Sequence, residues 1–389
     1  MKIKNEIKIV VDMIAIKSGG GCQLALNFIQ KLSLQKEELR TTFLILIPGV
    51  GPLSKNLDLK YPNLNFLVCS SDGVFNRFNL EYFQLPKLFK KSNIEKVYTF
   101  FGSGLKSPSS VTSIVSMAYP IICYNESPFW NFVSLKYKIK QKLINKIRRN
   151  RLLEADVIIT ETTVMKRRLQ DVLRYKGEIL VEAPAATTFI SQKKRDFNFK
   201  NKINFLVLSG LGFHKNLWRL PELAYELKKR KLNFVFNLSC AEADFDRHLE
   251  ELKVSSKELK KYFLNSRDCF NFCGSIPPEK IQNVYDQNDI LLSLSDLESF
   301  SNNYMEAWKN GIPLIVSDTD FTRHICGDSA LFVKQHDPAR AATVIEENIN
   351  SNIVGFKKRV DNGYKLLDGL PNNEERFNNI IKIIQKITL

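Results

Sequence analysis

Short runs of Val, Ile, Leu and Phe, too uniformly apolar to alternate, recur along the chain with longer helix-like stretches between them. That pattern narrows the possible folds sharply. Strands that are apolar on both faces must be covered on both faces, and parallel strands need helical crossovers to connect them. One series of expected strands lies at residues 7–12, 42–47, 65–69, 96–101, 121–124 and 156–160. A second lies at 204–209, 233–238, 269–273, 289–293 and 312–317. Residues 191–202 between the two series are polar, basic and aperiodic, and read as a linker. The expectation is an α/β chain of two doubly wound, Rossmann-like domains, with the first over residues 1–190 and the second over 203–370. A C-terminal helix at 371–389 is expected to pack back on the first domain. A length of 389 residues suits two domains better than one.

Composition removes several function classes. Hydrophobic residues make up 44% and charged residues 25%, as in an ordinary globular protein. No run reaches the ~18 uninterrupted apolar residues of a membrane span. The first residues lack the apolar core of a secretory signal. Seven scattered cysteines read as reduced thiols, which points to a cytoplasmic protein. Cys269 and Cys273 have no second pair or nearby His to complete a tetrahedral metal set.

The net charge of +16 is unevenly spread: residues 1–190 hold 28 Lys/Arg against 15 Asp/Glu. Such a half is suited to a polyanionic surface. Residues 127–153 contain no acid but carry Lys136, Lys138, Lys140, Lys142, Lys146, Arg148, Arg149 and Arg151. Phe132, Leu135, Ile139, Leu143 and Ile147 recur there at three- and four-residue intervals, predicting an amphipathic basic helix over 132–151. Two readings stand. Either the apolar stripe is core and the basic face is solvated, or the helix docks on an anionic membrane. Nucleic acid is not an expected partner, because no matching fold motif or aromatic array accompanies the charge.

The densest chemistry lies between residues 294 and 318. A strand ends near Ser293, a loop carries Glu298, and a helix starts around Ser301–Asn303. Glu306 falls one turn in, and Gly311-Ile312-Pro313 stops the helix before the next strand. Ligands of open parallel sheets bind beyond the carboxyl ends of strands, where Glu298 falls. The free N–H groups of Ser301, Asn302 and Asn303 suit a phosphate. Each glutamate can accept two hydrogen bonds from a vicinal diol, so one could hold a hexose and the other a ribose. Asp318-Thr319-Asp320 reads as loop carboxylates, and no metal or other cofactor is expected. Upstream, the stretch from Ser209 to Leu217 includes Gly210, Gly212, His214 and Lys215, a glycine turn with a cation fit to neutralise a diphosphate. In the first half, Gly20 and Gly21 belong to a glycine loop after a strand, a weak signal by itself.

Two glutamates separated by seven residues, then Ala307 and the Gly-x-Pro turn, resemble the donor-site motif of family-4 retaining glycosyltransferases of the GT-B fold. The resemblance covers roughly residues 203–340. It takes in Phe270 to Ile276, the helix-like stretch 281–290, and the run from Asp318 to Phe332, where His324 stands in place of a usual Glu. It implies two Rossmann-like domains facing across a cleft, with nucleotide-sugar binding in the second. Ile276 would contact the base, Glu306 the ribose and Glu298 the transferred sugar, with Lys215 on the donor phosphates. The family's phosphate-binding Arg is replaced here by Leu211 or Gly212. Either His214 compensates, or Lys215 and backbone amides suffice. The glycine loop with Gly20 and Gly21 would reach toward the diphosphate and acceptor. The family's first-domain His has no counterpart, since residues 1–213 contain no histidine. Asn125 and Glu126 are the substitutes at that position, and Phe100 to Gly104 is a candidate acceptor loop.

The implied activity is transfer of a sugar from a nucleotide-sugar to a glycan or lipid-linked glycan in cell-surface polysaccharide synthesis, such as lipopolysaccharide. Glu298, Lys215, Asn125 and Glu126 are the expected catalytic residues. The expected place is the cytoplasm, at the inner face of the cell membrane. The alternatives are a sugar-nucleotide epimerase or phosphorylase of the same architecture, or a non-catalytic scaffold.

Overall fold

The computed structural model describes residues 7–16, 20–54, 57–70, 73–117, 119–185, 190–199, 201–252, 256–351 and 353–387. Its first sheet has seven strands: β1 Ile9–Asp12, β2 Phe43–Pro48, β3 Asn65–Cys69, β4 Lys96–Gly102, β5 Thr112–Met117, β6 Val157–Thr160 and β7 Glu178–Val181. They lie in the order β3-β2-β1-β4-β5-β6-β7, every neighbouring pair parallel. The second sheet has six: β8 Ile203–Val207, β9 Phe234–Leu238, β10 Phe270–Phe272, β11 Ile290–Ser293, β12 Leu314–Ser317 and β13 Ala330–Val333. Their order is β10-β9-β8-β11-β12-β13, again all parallel. Strands β1, β2, β5, β9 and β12 are buried along their whole length, as two-sided helical cover requires.

The expected doubly wound α/β architecture is therefore present twice, with local differences. Residues 121–124, read as a strand, form part of a tight turn, Pro120–Cys123. The true fifth strand, Thr112–Met117, was missed because Ser and Thr dilute its apolar signal. Those residues are buried, and the Ser116 hydroxyl pairs with that of Tyr98 at 2.8 Å. The four-residue outer strands β7 and β13 were also missed, being too short to show a period.

Contacts divide the chain into two compact units. One comprises Met1–Cys123, Leu143–Ala185 and Pro371–Leu389, the other Tyr124–Lys142 and Ala186–Leu370. The C-terminal helix Asn373–Lys386 belongs to the first unit. Asn372 and Glu375 cap its start reciprocally, and Phe377, Ile380, Ile381 and Ile384 enter the core around β1, β4 and the helix Gly20–Ser33. In the second unit, residues 191–202 do not run as a loose tether. Arg195 donates to the carbonyls of Tyr285, Asp286 and Asn288, and Lys193 pairs with Asp286 at 2.6 Å.

The segment Tyr124–Lys142 is likewise fastened within the second unit. Phe132 stacks on His336 at 5.7 Å and packs on Trp218 at 4.8 Å, and Tyr137 meets Phe213 edge-on at 4.8 Å. Val133 also forms an antiparallel bridge to Leu252.

The basic helix runs Leu135–Leu153, and its apolar stripe is not core. Leu135, Ile139, Leu143 and Ile147 are each more than half exposed. Tyr137, Gln141, Ile144 and Leu152 face inward instead. The bland reading of that stripe is overturned. Periodicity finds an apolar face but cannot say what covers it.

Candidate functional site

In the second sheet the winding direction reverses between β8 and β11, and such a reversal opens a crevice at the carboxyl ends of the strands. A crevice of about 450 Å³ belongs to the first unit, but the one at this reversal is smaller, about 320 Å³. Ser209, Lys215, Asn216, Ser293, Ser295 and Asn303 line it. Lys215 ends the turn Phe213–Lys215 after β8, and Glu298 lies in the loop after β11. The two meet there, Lys215 Nζ standing 2.6 Å from Glu298 Oε1. Ser295 Oγ donates to the same oxygen at 3.0 Å.

Backbone conformation sets this pairing. Asn216 follows Lys215 in the left-handed region at φ 55°, a conformation Asn tolerates better than most residues. Its amide then donates to the Leu294 carbonyl at 2.9 Å and to Asp296 at 2.7 Å, tying the β8 turn to the β11 loop. Asp296 is the hub of the site. It is 3% exposed and accepts from five donors: Ser127 Oγ (3.1 Å), the Phe129 N–H (3.1 Å), Asn216, Gln335 (2.8 Å) and His336 Nε2 (2.6 Å). Burial pushes its carboxyl upward, but His336, Gln335 and Asn216 together hold it below the usual carboxylate value.

That hub also places Asn125 and Glu126. They occupy an exposed turn two residues before Ser127, so the Ser127–Asp296 bond sets their turn beside the loop that carries Glu298.

The helix Asn302–Asn310 carries the second glutamate. Ser301 caps it in extended conformation without a side-chain bond, and no acid occupies its first turn. Its leading N–H groups have no carbonyl partner inside the helix by geometry, so the expected phosphate contacts at Ser301, Asn302 and Asn303 fall at a true helix start. The Asn303 amide is held at 2.5 Å on the Leu208 carbonyl, which fixes that start against the end of β8. Glu306, the helix's fifth residue, accepts from Tyr285 Oη at 2.9 Å. Burial raises its carboxyl to about 7, and the Tyr285 hydroxyl draws it partly back. The helix ends at Gly311, whose φ of 75° and close approach to Lys193 and Tyr364 leave no room for a Cβ.

His214 is neutral in the empty protein. Burial, reinforced by the Lys215 ammonium, lowers its imidazole to about 3. Its ring folds back over Gly212, where a Cβ would stand 2.7 Å from Cε1. A neutral His214 ring offers a hydrogen bond rather than a charge. Ile276 is half-buried in the loop after β10, beyond Gly274, which takes φ 69°. Asp318 is not a loose carboxylate but is gripped by Arg323 at 2.7 and 3.0 Å. Asp320 accepts from Tyr124 Oη at 3.2 Å. Gly20 and Gly21, expected in a loop, are the first two residues of the helix Gly20–Ser33; residues 17–19 lie outside the described residues. A Cβ on Gly21 would meet only Ile16, at an ordinary 3.6 Å, so nothing steric demands glycine there.

Sequence reasoning missed Asp296, Asn216, Tyr285 and Ser127. Asp296 carried one usable signal, an acid placed directly after an apolar strand end. The other three are ordinary polar residues whose role depends on contacts 21 to 169 positions away.

No curated protein sequence matches the chain. Among solved structures it is similar over almost its whole length to sucrose-phosphate synthase from Thermosynechococcus elongatus, with TM-score 0.73, 14% identity and 98% of each chain covered. It is also similar to the Anabaena protein HepE in complex with UDP and glucose, with TM-score 0.67, 13% identity, and 98% of this chain and 100% of that one covered. A third is WaaG, a glycosyltransferase involved in lipopolysaccharide biosynthesis, with TM-score 0.68, 12% identity, and 97% and 100% covered. At these identities the likeness establishes the GT-B fold. In sequence, residues 189–365, which contain the Lys215–Glu298 pair and Glu306, match the family model of glycosyl transferases group 1.

Proposed function

We propose that this chain is a retaining glycosyltransferase of the family-4 type that moves a hexose from a nucleotide-sugar to a glycan or lipid-linked glycan of the cell surface. The observation that carries the reading is the Lys215–Glu298 pair at the β8–β11 reversal, with Glu306 on the helix that starts beside it. Without a donor the two charges neutralise each other. An arriving diphosphate competes for the ammonium and frees a carboxylate oxygen for sugar hydroxyls, while Glu306 keeps one oxygen for the ribose. As the bond from sugar to phosphate loosens, charge grows on the leaving phosphate. Lys215 and the N–H groups at Asn302 and Asn303 stabilise it, and the scheme needs no metal. The acceptor hydroxyl attacks from the same face, and the leaving phosphate takes its proton. Glu298 positions the sugar; it has no free carboxylate partner of the glycosidase kind, because Asp296 beside it is saturated by five donors.

The fold shared with HepE, which was solved with UDP and glucose, supports a uridine donor. WaaG's part in lipopolysaccharide synthesis supports a surface-glycan acceptor. The exposed apolar stripe on the basic helix Leu135–Leu153 supports a cytoplasmic enzyme working at the anionic membrane that holds lipid-linked acceptors. The test is a thermal-shift panel of nucleotide-sugars on the wild-type chain and on Glu306→Ala. One donor is expected to raise the melting temperature and to lose most of that effect in the variant. No shift with any donor, or an undiminished shift in the variant, would sink the donor site.

A further inference from the structure

The first unit exposes a second apolar surface that its core does not use. The helix Gly73–Asn79 passes through a wider turn, Leu80–Gln84, into the helix Leu85–Lys91. Phe75, Phe78, Tyr82 and Phe83 fall at the spacing of one helical face and point to water, Phe75 being 80% and Phe83 54% exposed. Phe78, Tyr82 and Phe83 touch one another, and Phe75 lies one turn before Phe78 on the same helix. Phe78 stacks on Tyr82 at 4.5 Å and meets Phe83 edge-on at 6.0 Å, and Lys106 Nζ sits 4.3 Å over the Tyr82 ring. Four large aromatic side chains in water are costly unless something covers them.

What covers them is indicated by the neighbouring element. From the middle of this cluster Glu81 turns inward, is 1% exposed, and accepts from both Arg77 and Arg151, with Arg151 Nη1 at 2.6 Å from Oε1. Arg151 belongs to the part of the basic helix, residues 143–153, that lies in the same unit and exposes Leu143 and Ile147 among Lys146, Arg148 and Arg149. A buried Arg–Glu–Arg clamp thus fixes an exposed aromatic cluster to an acid-free basic helix. A protein partner would need a matching acidic surface. A bilayer with anionic headgroups offers both of the required chemistries at once, an interface that aromatic rings prefer and a negative potential that gathers lysine and arginine.

We propose that the cluster Phe75, Phe78, Tyr82 and Phe83 inserts into an anionic lipid surface, and that the Glu81 clamp holds it in register with residues 143–153. The cluster supplies salt-resistant binding and the helix supplies salt-sensitive attraction. This requires no catalytic turnover, so it stands or falls independently of the donor site.

The test uses the full chain and vesicles of phosphatidylcholine alone or mixed with an equal part of phosphatidylglycerol. In Phe75→Trp the indole emission is expected to shift to the blue with the mixed vesicles and to stay put with phosphatidylcholine alone. The triple variant Phe75→Ser/Phe78→Ser/Phe83→Ser is expected to co-sediment with mixed vesicles at least about tenfold more weakly than wild type. Its melting temperature should fall little, since Phe75, Phe78 and Phe83 are each about half exposed or more. Lys146→Glu/Arg149→Glu should weaken binding in low salt and far less in high salt. An unmoved indole emission, or wild-type sedimentation of the serine variant, would overturn the proposal. So would sedimentation velocity showing that wild type is a dimer in solution and the serine variant a monomer, because a second copy would then be the occupant.

Discussion

Glu306 should make donor binding depend on pH in a way that can be worked out beforehand. In the empty protein burial holds its carboxyl up near 7, so at neutral pH about half the molecules carry the proton. A ribose diol donates two hydrogen bonds and is best accepted by the ionised form, so a bound donor should pull the carboxyl well below that value. Binding then expels a proton. Between about pH 8 and pH 6 the ionised fraction falls from roughly nine-tenths to one-tenth, and donor affinity should fall about tenfold with it. At about pH 7 each binding event should release roughly half a proton. Above about pH 8 the affinity should level off.

Isothermal titration calorimetry in two buffers of different ionisation enthalpy measures both quantities. The ligand must be the intact nucleotide-sugar, since a free nucleoside diphosphate has a terminal phosphate titrating near ~6 and would blur the reading. His214 does not interfere, because its imbalance toward the neutral ring persists down to about 3. Glu306→Gln should bind more weakly and lose the slope. Tyr285→Phe removes the hydroxyl that draws the carboxyl down, so the midpoint should move to higher pH. A flat affinity from about pH 6 to pH 8, or a slope that survives in Glu306→Gln, would refute the ribose role and the account of burial behind it.

Stability gives further tests. Because the folded value of Glu306 lies above its unfolded one, its contribution is fully present below the unfolded value of 4.5 and is lost as pH rises through about 7. Glu306→Gln should therefore raise the melting temperature of the empty protein more at about pH 8 than at about pH 5. Asp296→Ala removes the acceptor of five buried donors and should cost about 3 kcal/mol or more in urea unfolding; a cost under about 1 kcal/mol would contradict its role as hub. Its lowered carboxyl gives the opposite pH sign, with stability present above 3.8 and lost as pH falls below it. Gly311→Ala forces a Cβ into the left-handed turn against Lys193 and the Tyr364 hydroxyl, and should cost at least about 2 kcal/mol by the same unfolding assay.

The placement of Glu298, Glu306 and Lys215 was legible because it is set locally. Glu298, Glu306 and the Gly311-Ile312-Pro313 stop lie within one strand–loop–helix unit, and the φ of 75° at Gly311 is the physical reason for the glycine in that stop. Lys215 was legible for the same reason, standing at the end of a glycine turn directly after a strand. What joins these parts was not legible. Asp296 binds Ser127, 169 positions earlier, and His336, 40 positions later, and no period or spacing encodes such a pairing. The burial of Glu306, and with it the value near 7, depends equally on tertiary packing, since the same residue on an open helix would be an ordinary carboxylate.

The basic helix shows the converse limit. Its apolar stripe was found at the right residues, yet solvent exposure was settled by a different set, Tyr137, Gln141, Ile144 and Leu152, whose weaker amphipathic pattern is the one that packs. Two faces of one helix competed for the interior, and the less apolar face won. Burying the stripe of Leu135, Ile139, Leu143 and Ile147 would stabilise the fold by several side chains' worth of transfer energy, about 1.5 kcal/mol or more each. Arg151, however, lies on the packed side, where it completes the clamp on a Glu81 that is 1% exposed. Rotating the helix to bury the stripe would leave that carboxylate with Arg77 alone and would strip it of its two-pronged partner. Breaking a buried ion pair costs about 3–5 kcal/mol, comparable to much of what the stripe would contribute. The clamp thus helps keep the apolar face outward, and an apolar face held outward by a buried ion triad is a surface built to meet something other than water.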